Sequence, residues 1–101
     1  MAENPLRTIL DLDGKLAEHL DATEKLVFQD GVMPEKYKIL MAMAFDAAHG
    51  AAQGVRALAE RAMRAGATEE EIAETIRVAY HLGGVGSVYT ASQGLKDLFH
   101  Q

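Results

Sequence analysis

Residues 45–66 read FDAAHGAAQGVRALAERAMRAG, a stretch that favours helix almost throughout but has Gly50 and Gly54 in its first half. Alanine is the most favourable residue in a helix, whereas glycine costs about 1 kcal/mol in a helix interior. Small residues also let two helix backbones approach closely, because no large side chain separates them. The stretch therefore predicts closely packed helices, or a site that has lost larger side chains, and we expect a backbone or a ligand against Gly54.

Capping residues set the helix boundaries that follow this stretch. A helix over residues 51–65 is predicted to end at Gly66, which suits the left-handed position after a helix. Thr68 and Glu71 have the spacing of a capping box, so the next helix begins there and runs to the glycine pair at residues 83–84. A last helix is predicted to pack through a narrow seam formed by Val85, Val88, Ser92, Leu95 and Phe99.

Two further helices precede the stretch. One begins at Pro34 and runs to His49, and it is apolar on most of its circumference. The first helix is predicted to start at Asn4-Pro5 and to end at Asp30-Gly31, with Gly14 as its weak point. Its apolar stripe consists of Ile9, Leu12, Leu16, Leu20 and Val27. No segment alternates like a strand, so residues 1–101 are predicted to form one all-α domain of five helices.

Composition restricts the kinds of partner. A formal net charge of -5 and a pI near 5.2 disfavour nucleic acid and anionic membranes as partners. No apolar run reaches transmembrane length, and the start MAENPLRTILDLD does not resemble a signal peptide, so we expect a cytoplasmic protein. A chain of 101 residues leaves much apolar surface uncovered as a monomer, which favours self-association.

Histidines are the candidate proton-transfer groups, because their side chains titrate near neutrality. His49 and His81 both lie near helix ends, where the ordinary role of a histidine is to interact with the negative end of the helix dipole. If the helix continued through Gly50, then Asp46, His49 and Gln53 would share a face able to orient a proton. A metal site would require His49, His81 and a carboxylate to converge from separate helices, so we predict neither a metal nor a cofactor.

The run KYKILMAMAFDAAHGAAQGVRALAERAMRAGATEEEIAETIRVAYHLGG, residues 36–84, resembles the carboxymuconolactone decarboxylase and alkylhydroperoxidase D-like family. The resemblance rests on AGATEEEI followed by Gly-Gly, and it continues more weakly into VYTASQGL. It implies an all-helical fold assembled into trimers or hexamers, in which helix pairs pack across subunits.

The resemblance also implies where a site should lie. Peroxidase-type members have a Cys-x-x-Cys pair, a later histidine and an earlier glutamate; the matching positions here are Ala51, Gly54, Leu58 and Ile39. Decarboxylase-type members lack the cysteines but usually keep the histidine, at the position of Leu58. Because the chain has no cysteine, no sulfenate or disulfide can form, and we predict that thiol peroxidase activity is absent.

Two classes of function remain. The first is a noncatalytic homo-oligomer that binds a small apolar or aromatic ligand in the vacated pocket, or that serves only as an assembly module. The second is a lyase or isomerase acting on a small carboxylated substrate, with His49 or His81 as the base. The candidate ligand-binding residues are Asp46, Ala51, Gln53, Gly54, Leu58, Tyr80 and Tyr89, of which Gln53 and the two tyrosines could donate hydrogen bonds in the enzyme.

Overall fold

A computed structural model describes residue 4 and residues 6–99, and in this part of the chain every regular element is a helix. The helices are α1 (Arg7–Leu12), α2 (Gly14–Phe28), α3 (Glu35–Ala48), α4 (Ala52–Arg64), α5 (Glu69–Gly83) and α6 (Gly86–Gly94). The all-α fold class predicted from the sequence is confirmed.

The predicted first helix is divided in two, which gives six helices rather than five. Asp13 is extended, with φ -133° and ψ 93°, and its side chain accepts a hydrogen bond from the backbone N–H of Leu16 at 3.0 Å. An aspartate in this position caps a new helix, so local capping outweighs the continuous apolar stripe. The helix also begins later than expected, at Arg7, and Pro5 lies outside the described residues.

The other boundaries lie where the capping residues predicted them. Thr68 and Glu71 form a complete capping box, with both hydrogen bonds at 3.0 Å. Gly66 follows α4 with φ +103°, a value that favours glycine because it has no Cβ. The glycine pair at residues 83–84 ends α5.

Helix α3 lies at the centre of the core. Ile39 and Met43 are completely buried, and α3 packs against α4, α5 and α6. The helices α3 and α5 run parallel, because Lys36 pairs with Glu71 at their N-terminal ends while Ala48 lies against Gly83 at their C-terminal ends. The remaining buried apolar residues are Leu40, Ala47, Val55, Ala59, Ala62, Ile72, Ala79 and Ala91.

The predicted seam of α6 is wrong in its first half. Val85, Val88 and Ser92 are exposed, and the helix instead buries its small residues Ser87, Ala91 and Gly94. The reason is close approach: a Cβ at Gly94 would lie 2.6 Å from the carbonyl oxygen of Ala52. Only a glycine, which has no Cβ, fits at that distance. Leu95 and Phe99, at the end of the predicted seam, do pack against the core.

We call α1 and α2 together the N-terminal arm. Neither helix has a buried residue, although α2 packs against α3. Its last turns contact the body through Phe28, whose ring lies 4.7 Å from the guanidinium carbon of Arg61. Within the described residues, no helix is both long enough and apolar enough to span a membrane.

Candidate functional site

The candidate site lies at the break between α3 and α4. Gly50 has φ +81°, and the backbone N–H of Ala51 donates to the carbonyl oxygen of Asp46 at 2.9 Å. A second bond, from Gly50 N–H to the carbonyl of Ala47, completes the glycine-terminated helix end known as a Schellman motif. The hypothesis of one helix continuing through Gly50 is therefore wrong, because glycine in this conformation ends α3 and redirects the chain into α4.

The break brings Asp46 of α3 against Gly54 of α4. A Cβ added at Gly54 would lie 2.8 Å from the carboxyl carbon of Asp46, and closer still to one carboxylate oxygen. The group packed against Gly54 is therefore a side chain of this same protein, and not the backbone or ligand expected from the sequence. Burial raises the pKa of Asp46, and the charge of the neighbouring His49 partly opposes this increase.

His49 is exposed and caps the C-terminal end of α3. Its ring stacks on that of Phe45, one helical turn earlier, with 6.4 Å between centroids and 12° between planes. The charge of His49 also acts on the carboxylate of Asp46, three residues earlier, so an acid and a potential base are neighbours at one helix end. Such a pair can hold or transfer a proton if a substrate binds there.

His81, Tyr80 and Tyr89 are all exposed. The contact between Ala48 and Gly83 joins the C-terminal ends of α3 and α5. His49 and His81 therefore lie at the same end of the helix bundle. Within residue 4 and residues 6–99, no three histidine, aspartate or glutamate side chains are grouped closely enough to hold a metal ion.

Gln53 lines a groove of about 240 Å³ at the start of α4. Arg56 also lines the groove; it donates to the carbonyl oxygen of Lys96 at 2.5 Å and to Glu60 at 3.3 Å. The other lining residues are Ala52, Gln93 and Gly94. Sequence reasoning missed Arg56 and Gln93, because the groove exists only where α6 packs on α4; the spacing of Arg56 and Glu60 was the one available local signal.

The remaining predicted site positions belong to the packed interior. Ile39 is fully buried, and Leu58 is partly buried against the core. Ala51 is partly buried at the turn into α4. Apolar side chains thus fill two of the positions at which the resemblance would place acid–base groups.

A second groove, of about 350 Å³, lies where the arm meets the body. Arg61 is its centre: the guanidinium pairs with Glu24 at 2.8 Å and with Glu35 at 3.5 Å. The groove is also lined by Lys25, Phe28 and Gln29. Its lining includes none of the residues predicted from the sequence to bind a ligand.

Comparison with known proteins gives one match. The model of the carboxymuconolactone decarboxylase family matches residues 14–97. No curated protein and no solved structure matches the chain.

Proposed function

This chain belongs to the carboxymuconolactone decarboxylase family, and on that premise we propose that it acts as a homo-oligomeric assembly module without thiol chemistry. The observation that supports assembly is a row of exposed apolar side chains on α3. We call Tyr37, Met41 and Phe45 the α3 stripe; they recur at every fourth residue and are 44%, 44% and 66% exposed. Residues four apart lie on one face of a helix, so the stripe is continuous.

The composition of the stripe fits a protein–protein contact. Tyrosine, phenylalanine and methionine are enriched at interfaces, and large exposed apolar patches on a monomer mark interaction sites. Helix α5, which runs beside α3, adds Val78 and Leu82 as exposed apolar residues. The family resemblance favours a trimer or a hexamer.

Sedimentation velocity at micromolar concentration tests this proposal. We expect the wild-type chain to have the mass of a trimer or hexamer. Phe45→Glu should lower that mass, because it introduces a charge into the stripe. The matched control is Ala73→Glu, which adds the same charge at an exposed position of α5 outside the stripe. A monomeric wild-type chain would contradict the proposal.

We also propose that the groove beside Gln53 binds a small molecule in the assembled protein. Its volume of about 240 Å³ is below that of most ligand sites, so only a small molecule would fit, and it combines an arginine and two glutamines with apolar lining atoms. Native mass spectrometry should reveal an adduct retained by the wild-type oligomer. Loss of the adduct in Gln53→Ala, with the oligomer intact, would support this groove as the binding site; an unchanged adduct would exclude it.

The proximity of Asp46 and His49 at the end of α3 favours a second candidate, a lyase or isomerase acting on a small carboxylated substrate. In this mechanism the imidazole of His49 or of His81 is the base that takes a proton from the substrate. Carboxymuconolactone, the compound in the family's name, is the first substrate to test. An inflection near neutral pH that disappears in His49→Ala or His81→Ala would support the enzyme. An absence of turnover, or a profile unchanged in both variants, would favour the assembly module.

A further inference from the structure

The N-terminal arm shares little buried surface with the body, which consists of α3 to α6. Within α1 and α2 only Leu10, Ala17 and Phe28 are even partly buried, and of these three only Phe28 packs against the core. All the buried core residues belong to the body. A segment with few buried apolar contacts opens at a lower free energy than the whole protein unfolds.

Arg61 of α4 connects the arm to the body. Its guanidinium pairs with Glu24 of α2 at 2.8 Å and with Glu35 of α3 at 3.5 Å, and its central carbon lies 4.7 Å from the centre of the Phe28 ring. The side chains of Arg61, Glu24 and Glu35 are 26%, 49% and 39% exposed. Dissolved ions therefore reach these pairs, and added salt weakens them.

The segment between the arm and the body is suited to bending. Residues 29–34 join α2 to α3 without forming a helix, and Gly31 and Val32 in the middle of the segment are exposed. The side chain of Lys38 donates a hydrogen bond to the carbonyl oxygen of Gln29 at 2.8 Å. This bond is exposed, so water can replace it when the arm moves.

The junction between the arm and the body is also incompletely packed. The groove of about 350 Å³ described above lies at this junction, with Glu24 and Phe28 on the arm side and Glu35 and Arg61 on the body side. A protein core is close-packed and leaves no space of this size between its helices. The arm therefore rests on the body mainly through the contacts of Arg61 and Phe28.

We propose that the arm opens as a unit while the body stays folded, and that Arg61 controls how often it opens. The proposal requires neither assembly nor a bound ligand, so it goes beyond the function proposed above. Opening exposes Phe28 and widens the groove beside Arg61. The released helices also lose structure, because isolated helices of 6 and 15 residues are marginal in water.

Hydrogen–deuterium exchange of the full chain, followed by mass spectrometry, tests the proposal. Arg61→Gln should increase the exchange rate of α2 amides about tenfold, because it removes two partly exposed ion pairs and a cation–π contact. Amides of α3 and α4 should be unaffected. The matched control is Arg64→Gln, which removes the same charge at an exposed position of α4. Equal α2 exchange in the two variants, or a rise in α3 as large as that in α2, would overturn the proposal.

Salt gives a second test that needs no substitution. Raising NaCl from about 0.05 M to about 0.5 M should increase α2 exchange in wild type severalfold relative to α3, and this response should be absent in Arg61→Gln. Concentrations at which all samples have equal mass in sedimentation separate arm opening from dissociation of an oligomer. A wild-type arm that exchanges no faster than α3, or a salt response that persists in Arg61→Gln, would contradict the proposal.

Discussion

The carboxylate of Asp46 packs directly on the backbone of Gly54, across the break between α3 and α4. A Cβ at this position would come within 2.8 Å of the Asp46 carboxyl carbon, so the Asp46 side chain would have to move to accommodate any larger residue. The contact joins α3 and α4 through a polar side chain. Burial at the contact disfavours the charged form of the Asp46 carboxylate.

The contact predicts that substitutions at Gly54 and Asp46 are coupled. Alanine should stabilise α4 by about 1 kcal/mol over glycine through helix propensity. We expect that gain only in the Asp46→Ala background, where no carboxylate opposes the new Cβ. Urea denaturation of the four variants should give a coupling energy of about 1 kcal/mol. Additive effects would mean that the carboxylate moves aside freely.

A larger residue at position 54 tests how tightly Asp46 packs against it. Gly54→Leu should cost roughly 1–3 kcal/mol in unfolding free energy through overpacking. Thermal denaturation and sedimentation of the same sample would measure it. Unchanged melting temperature and oligomer mass would indicate that Gly54 faces open solvent.

The raised pKa of Asp46 predicts a pH dependence with a defined sign. An acid with a higher pKa in the folded state binds its proton more tightly there, so this group lowers stability as pH rises above the unfolded-state pKa. Asp46→Asn should therefore gain more stability relative to wild type at pH 7 than in acid. In a carbon NMR titration, His49→Ala should raise the pKa of Asp46 further, because it removes the charge that lowers it. A lower pKa in that variant would contradict the assignment.

Alanine substitutions at two glycines should change the stability of the protein in opposite directions. At Gly94 a Cβ would meet the carbonyl oxygen of Ala52 and the side chain of Val55, and a backbone atom cannot move aside, so we expect a cost of about 1–3 kcal/mol. At Gly14 no atom lies within 4 Å of the added Cβ, and a gain of about 0.4–1 kcal/mol is expected. Denaturation curves for Gly94→Ala and Gly14→Ala would check both signs.

The chain should not reduce hydroperoxides through a thiol. Relatives of the peroxidase type need a cysteine sulfenate and then a disulfide, and this sequence has no cysteine to form either. The assay is turnover of an organic hydroperoxide by metal-free protein with a dithiol reductant. Heat-sensitive turnover above the rate with reductant alone would require a chemistry independent of cysteine.

The parts of the fold that the sequence predicts well are those set by local chemistry. The capping box at Thr68 and Glu71 and the turns at Gly50 and Gly66 each involve residues close together in the chain, so their spacing is enough to identify them. The boundary between α1 and α2 at Asp13 is also set by local capping, but the unbroken apolar stripe predicted one continuous helix.

The parts that the sequence predicts poorly depend on how helices meet. The face of α6 that turns inward is selected by the distance to Ala52, so the larger residues Val85 and Val88 are left outside. At the candidate site, the small residues around Gly54 indicated close packing. It did not identify Asp46 as the neighbour, because that contact depends on the angle between α3 and α4.

The pairing of Asp46 with Gly54 also affects the reactivity of a thiol engineered into position 54, where peroxidase-type relatives have their second cysteine. Gly54→Cys alone would place its Cβ against the carboxylate, and the negative charge would keep the new thiol protonated and a weak nucleophile. We therefore expect Gly54→Cys to give a more reactive thiol when Asp46 is replaced in the same variant, because the neighbouring carboxylate comes from a different helix.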